Sequence, residues 1–85
     1  MPTVLVVDGF RFFFYSNEGT EPPHIHVQKG DGVAKFWLQP IGFATNNGLK
    51  PPELKRAKLI AGERAAELLE KWNERFAQNP TSNKG

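Results

Sequence analysis

The chain contains no cysteine, and this absence excludes two kinds of architecture. Without thiols, neither a disulfide framework nor a thiolate metal site can form. Long apolar runs are also lacking, since none approaches the roughly 20 residues that a membrane-spanning helix requires. No signal peptide is recognisable ahead of the first strand-like segment. We therefore expect a cytoplasmic protein that does not associate with membranes.

Excess charge is small and confined to one segment. The formal net charge is +2, and residues 1–50 are neutral, with four basic and four acidic side chains. The cations that crowd the following segment are Lys50, Lys55, Arg56 and Lys58, with Glu53 as the single acid among them. We predict that these four cations form a binding surface for phosphate or an acidic partner. The alternative is an ordinary solvated helix surface.

Four segments have the β-branched or aromatic composition of strands, at about residues 3–7, 10–15, 24–29 and 33–38. Asp8-Gly9 predicts a type I′ hairpin turn between the first two. The short connections predict an antiparallel meander of four strands. Residues 39–50 are expected to be irregular, because Pro40, Gly42 and Gly48 interrupt them.

A helical pattern follows at about residues 51–78. Its apolar stripe consists of Leu54, Ala57, Ala61, Ala65, Leu68, Leu69, Trp72 and Phe76, whereas Leu59 and Ile60 fall outside it. One straight helix of this span would be ~42 Å long, about twice a six-residue strand, so we expect a bend or break near Gly62. The predicted fold is one α+β domain over residues 1–78, with one sheet face covered by the helical segment, and a disordered polar tail at 79–85.

Strand alternation divides the sheet residues between two faces. The core face is predicted to contain Phe10, Phe12, Phe14, Ile25, Val27, Ala34, Phe36 and Leu38. The opposite face, called the outer face below, is predicted to contain Arg11, Phe13, Tyr15, His24, His26, Gln28, Lys35 and Trp37. We expect the helices to cover the first face and leave the second uncovered.

Cations and aromatic rings on one open face suit more than one role. They are typical of protein interfaces, where aromatic residues and Arg serve as anchors. They also suit single-stranded nucleic acid, because aromatics stack on bases and cations meet phosphates. In a third interpretation they are structural, and the histidines bond to nearby loop carbonyls.

Both histidines of the chain lie in the strip Glu21–Lys29, and their spacing raises the question of chemistry. A His-x-His pair resembles part of a zinc site, but the nearest further ligands by sequence are Glu21 and Asp31, both in loops. The first cupin motif is also similar, but its later Glu and its second His motif are missing here. We therefore expect neither a metal nor another cofactor.

Two phosphate chemistries remain open. The spacing His24-Ile25-His26-Val27-Gln28 matches the histidine-triad pattern, in which the middle histidine, here His26, would attack phosphorus. Alternatively, His24, His26 and Lys35 could supply base, acid and charge stabilisation for metal-free RNA cleavage. These three are the candidate catalytic residues. Whether the chain is an enzyme stays open at this point.

Longer motifs add a family resemblance. Met-Pro-Thr-Val-Leu, Arg-Phe-Phe-Phe-Tyr-Ser-Asn-Glu-Gly, Glu-Pro-Pro-His-Ile-His-Val and Ala-Lys-Phe-Trp-Leu together resemble the small bacterial domain-of-unknown-function family 4160, from Met1 to about Phe76. The resemblance implies a short protein encoded beside a second small protein, in a toxin–antitoxin-like arrangement. It implies no catalytic residues. The chain departs from the family at Gly48–Pro52, where a Ser-Pro helix start is more usual, so Lys50 supplies no evident side-chain cap.

The favoured hypothesis is a protein-interaction component of such a two-gene module, with a nearby-encoded protein as its partner. The alternative is a nucleic-acid-binding protein or ribonuclease-type toxin acting through His24 and His26, with RNA or another nucleic acid as its target. Besides the four helix cations, the candidate binding surface comprises Arg11, Tyr15, Gln28 and Trp37. A homo-oligomer is compatible with either hypothesis.

Overall fold

A computed structural model describes residues 3–14 and 22–77, the last two by their backbone alone. Within these residues, five strands precede two helices and a π-helical turn. Their bounds are β1 Thr3–Val7, β2 Phe10–Phe13, β3 His24–Lys29, β4 Gly32–Leu38, β5 Ile41–Asn47, α1 Pro51–Glu63, α2 Ala65–Trp72 and the π-helical turn Asn73–Ala77. The predicted α+β class is confirmed. Among the described residues, no helix is both long enough and apolar enough to cross a membrane.

The sheet is an antiparallel meander in which strands lie side by side in chain order. Asp8 and Gly9 have φ angles of 53° and 80°, so both central turn residues are left-handed. A type I′ turn requires this conformation, because its twist matches that of the flanking strands. The predicted hairpin is therefore confirmed.

The sheet has five strands, and the prediction of four was wrong at residues 39–50. Gln39 and cis-Pro40 form the turn after β4, and β5 pairs along β4 from Leu38↔Ile41 to Val33↔Asn47. Pro40 lies in the turn, where its missing N–H interrupts no ladder. The expected breaker Gly42 lies in the strand, opposite Trp37. Proline here marks the boundary of a strand, rather than the absence of one.

A bulge in β5 changes which face its side chains occupy. Phe43 lies opposite Phe36, whereas Thr45 lies opposite Lys35, so Ala44 is the extra residue. Phe43 consequently lies on the core side of the sheet, with its ring centroid 6.3 Å from that of Phe36. Thr45 lies on the outer face. Strict alternation would have placed both on one side.

The predicted core face is confirmed, since all of its eight side chains are buried. The helices contribute Ala57, Ile60, Ala61, Leu68 and Trp72 to the same core. Ile60 was excluded from the predicted stripe, and that expectation was wrong. The stripe was drawn for one straight helix. Because α1 and α2 have separate axes, the stripe assigns some residues near the break to the wrong face.

The predicted break near Gly62 is confirmed. α1 ends at Glu63, and Arg64 has non-helical angles of φ −108° and ψ 15° before α2 begins. At the start of α1, Lys50 makes no side-chain cap, as expected. Instead, its backbone N–H donates to the Glu53 carboxylate at 2.9 Å, so this donor at the start of the helix has a partner. The predicted tail at 79–85 lies outside the described residues.

The connection from β5 to α1 is held closely against the sheet. The Asn46 side chain accepts from the N–H of Leu49 and donates to its carbonyl, both at 3.0 Å. Gly48, with φ 101°, passes directly over Gly32. A Cβ on Gly32 would lie 2.7 Å from the Gly48 carbonyl carbon, so only glycine fits there. This contact fixes where α1 begins relative to β5.

Candidate functional site

Strand register places the predicted outer-face residues in cross-strand rows. Arg11 lies opposite Gln28, Phe13 and Lys35 flank His26, and His24 lies opposite Trp37. Directly opposed side chains in antiparallel strands are close enough to interact. The predicted grouping of these seven residues is therefore correct. Tyr15, the eighth, lies outside the described residues.

His24 is enclosed at the start of β3. Its exposed fraction is 0%, and its ring centroid lies 4.9 Å from that of Trp72 and 5.8 Å from that of Trp37. Nδ1 lies 2.9 Å from the carbonyl oxygen of Pro22. A carbonyl can only accept, so Nδ1 carries a proton and donates it. Trp72, at the end of α2, thus joins the core to the histidine strand.

His26 is also buried, with an exposed fraction of 8%. Its ring stacks on Phe13 at a centroid distance of 5.6 Å and meets the His24 ring edge-on at 5.2 Å. The expectation of an uncovered outer face is therefore wrong at the histidine end. The arrangement is that of packed aromatic groups, with little of either imidazole at the surface.

The cations of the outer face lie over its aromatic rings. Lys35 Nζ lies 4.6 Å from the centre of the Trp37 ring, and the Arg11 guanidinium lies 4.4 Å from the centre of Phe13. Arg11 also donates to Gln28 Oε1 from two nitrogens, at 2.7 and 3.2 Å. These contacts explain why cations and aromatics alternate along the face. The catalytic assignment of His24, His26 and Lys35 stays a prediction.

A metal centre finds no support in residues 3–14 and 22–77, where no group of three or more His, Cys, Asp or Glu side chains could hold an ion. Asp31 is exposed in the turn between β3 and β4. Glu21 lies outside the described residues. The metal-free chemistry that the sequence suggests would therefore have to use the buried imidazoles themselves.

The four helix cations lie away from the outer face, on and just before α1, which covers the opposite side of the sheet. Arg56 reaches the β1–β2 turn and donates to Asp8 Oδ2 from two nitrogens, at 2.5 and 3.1 Å. This hydrogen bond and the Asp8 charge raise the pKa of Arg56. The predicted binding residues thus divide between two surfaces, and Arg56 is already engaged within the chain.

A second surface lies where α1 passes beside β5. We call it the α1–β5 surface, and its main residues are Ile41, Phe43, Lys55, Lys58, Leu59, Gly62 and Glu63. Two adjoining concavities, of about 480 and about 320 Å³, share Lys55 and Lys58 in their lining. Phe43 and Leu59 are each 51% exposed although both are large apolar side chains. This surface combines apolar side chains with two lysines, and one carboxylate, Glu63, lies at the end of α1.

Sequence reasoning found the lysines of this surface but missed its apolar part. Phe43 was assigned to an irregular segment, and its position beside α1 depends on β5 and the bulge at Ala44. One signal was present, because Leu59 falls outside the apolar stripe of the helix. Ile60 also falls outside the stripe but is buried, so this signal alone does not identify an exposed residue.

A family model described as a domain of unknown function (DUF4160) matches residues 9–73, which is most of the chain. The match includes all residues of both surfaces and every strand except β1. No curated protein and no solved structure matches the chain.

Proposed function

The chain belongs to the DUF4160 family, and we propose that it is the protein-interaction component of a toxin–antitoxin-like two-gene module in the bacterial cytoplasm. It binds its partner, the second small protein of the module, through the α1–β5 surface. No bond is made or broken in this role. The histidine strip supports the fold that presents the surface.

The observation that carries this proposal is the exposure of Phe43 and Leu59, at 51% each, in the lining of two adjoining concavities. Removing apolar side chains from water on binding provides about 25 cal/mol per Å². Large apolar residues surrounded by cations are also typical of contact sites. Val6 is more exposed, at 63%, but it lies at the other edge of the sheet, on β1.

Burial separates this proposal from the RNA-directed alternative. Chemistry on a polynucleotide needs an imidazole within hydrogen-bond reach of the scissile phosphate. His24 and His26 are 0% and 8% exposed, so that reach would require the aromatic cluster to open. The α1–β5 surface needs no such rearrangement, which favours binding through it.

Co-expression with the protein encoded by the adjacent gene tests the proposal. Phe43→Asp places a carboxylate in the apolar centre and should weaken co-purification about tenfold or more. Val6→Asp is the matched control, because it makes the same kind of change at an equally accessible edge residue. It should leave co-purification intact.

Both variants must give the circular dichroism spectrum and cooperative unfolding of the parent chain. Equal retention of the partner by Phe43→Asp and the parent would overturn the proposal. Loss on Val6→Asp alone would also overturn it, by moving the interface to β1. A salt-sensitive complex with RNA that Phe43→Asp leaves unchanged would favour the alternative function.

A further inference from the structure

β5 has an open edge. It is the last strand of the sheet order, and within residues 3–14 and 22–77 no strand lies beyond it. Such an edge leaves a row of backbone N–H and C=O groups without ladder partners. A strand from another chain can pair with groups of this kind.

The hydrogen-bond pattern identifies the residues that present those groups. The N–H of Leu38 donates to the carbonyl of Pro23 at 3.0 Å, so the backbone of Leu38 is directed toward β3. Leu38 and Ile41 therefore form a non-hydrogen-bonded pair of the antiparallel ladder. By alternation, Gly42 bonds to β4, whereas the polar groups of Ile41 and Phe43 are directed outward.

The side chains of β5 offer little protection against such pairing. Proteins commonly block an exposed edge with a charged residue, above all lysine. The strand Ile41–Asn47 carries no charge, and its one protective feature is the bulge at Ala44. The segment before the bulge is the part that flanks the groove.

Charge indicates what kind of strand would pair there. Lys55 and Lys58 line both concavities, whereas Glu63 lines only one, and among the described residues neither lysine has a carboxylate within ion-pair distance. A strand added beyond β5 would lie about 4.8 Å from it, with alternate side chains directed toward α1. A carboxylate at one of those positions would meet the two lysines, which lie one helical turn apart, and an apolar side chain next to it on the same face would meet Leu59.

A second copy of the chain fits less well. A two-fold symmetric pairing of β5 with itself opposes the same surface patch on both copies. That arrangement brings Lys55 and Lys58 toward the same two lysines of the other copy. Like charges facing each other across an interface are unfavourable.

We infer that the partner adds an extended strand to the Ile41–Phe43 edge of β5, with an acidic side chain directed at Lys55 and Lys58 and an apolar side chain seated against Leu59. This inference rests on the proposed function, because it specifies how the same surface binds. It adds the conformation of the bound segment and the sign of its charge.

A symmetric peptide serves as the probe, since it can pair in either direction. Capped Thr-Glu-Thr-Val-Thr-Glu-Thr places Glu, Val and Glu on one face of a strand, and Thr-Lys-Thr-Val-Thr-Lys-Thr is the charge-reversed control. The measurement is amide hydrogen exchange of the full ¹⁵N-labelled chain by NMR. With the Glu peptide at millimolar concentration, the Ile41 and Phe43 amides should exchange about tenfold more slowly.

The Gly42 amide, which bonds to β4, is the internal control and should change little. Lys58→Glu should reverse the preference between the two peptides. Lys71→Glu makes the same change on the exposed side of α2 and should not alter it. Neither peptide binding at millimolar concentration, or both slowing exchange equally, would overturn the inference.

The outcomes also separate this inference from the proposed function. If Phe43→Asp releases the co-expressed partner but the Glu peptide protects no β5 amide, the strand-addition mode is wrong and the binding surface stands. If the peptide protects Ile41 and Phe43 but Phe43→Asp retains the partner, the edge accepts strands and the proposed function is wrong.

Discussion

The histidine end of the outer face and the α1–β5 surface contrast in their exposure to solvent. In each, the exposure is the reverse of what the residue types suggest. The first contains imidazoles, cations and aromatics, yet His24 and His26 are buried against Trp72 and Phe13. The second consists mostly of plain apolar side chains and lysines, yet Phe43 and Leu59 are exposed. Side chains that could take part in catalysis are used for packing here, whereas side chains without reactive groups are accessible.

The difference arises from the position of the helices. α1 covers the core face and passes beside β5, and Phe43 lines a concavity next to the first turns of α1. α2 continues to the other end of the sheet, where Trp72 packs on Phe14 at 5.5 Å and on His24 at 4.9 Å. The break at Arg64 separates the helix beside the α1–β5 surface from the helix that encloses His24.

The largest effect expected from a single substitution is at Trp72. Trp72→Ala removes a buried ring that contacts both the core and His24, and should lower the free energy of unfolding by about 3–5 kcal/mol. Leu59→Ala, on the exposed side of α1, should change it by about 0.5 kcal/mol or less. Urea denaturation monitored by circular dichroism measures both.

The milder Trp72→Phe keeps the comparison measurable if the alanine variant does not fold. An equal loss of unfolding free energy in Leu59→Ala and Trp72→Ala would contradict the contrast between the packed histidine end and the accessible α1–β5 surface. Partner binding should show the reverse order, with Leu59→Ala the more damaging of the two among folded variants.

A smaller effect is expected from the same substitution at two glycines. Gly32→Ala pushes a Cβ into the backbone of Gly48 and should cost about 1–3 kcal/mol. A Cβ on Gly62 meets no atom within 4 Å. Gly62→Ala should therefore stabilise α1 by about 0.5–1 kcal/mol, because alanine favours the helix more than glycine does.

Thermal unfolding of the two variants gives the answer directly. Destabilisation by Gly62→Ala would indicate that the groove is closed in solution. In that case α1 would lie closer to β5, and the α1–β5 surface would not be accessible.

The sequence was informative wherever local chemistry decides the structure. Asp8-Gly9 specifies its turn by left-handed angles, and the alternation of Phe10, Ile25 and Phe36 specifies the core face. It was uninformative where distant elements meet. The exposure of Phe43 depends on the bulge at Ala44 and on α1, and the burial of His24 depends on Trp72, 48 positions later. No local pattern contains those contacts.

Pro40 illustrates the same limit. A proline between two apolar segments predicts an interruption, and the chain is indeed interrupted there, by a turn of two residues. The conformation of the segment after the turn is decided by pairing with β4, which local composition does not reveal. The candidate site was found only in part for this reason.

Site-specific photo-crosslinking shows whether the partner binds the α1–β5 surface or the outer face. A benzophenone side chain at Leu59 reports on the α1–β5 surface, and the same group at the half-buried Trp37 reports on the outer face. After irradiation of the complex with the co-expressed partner, Leu59 should give the covalent adduct and Trp37 should not. An adduct from Trp37 alone would show that the partner binds the outer face, and would contradict the account.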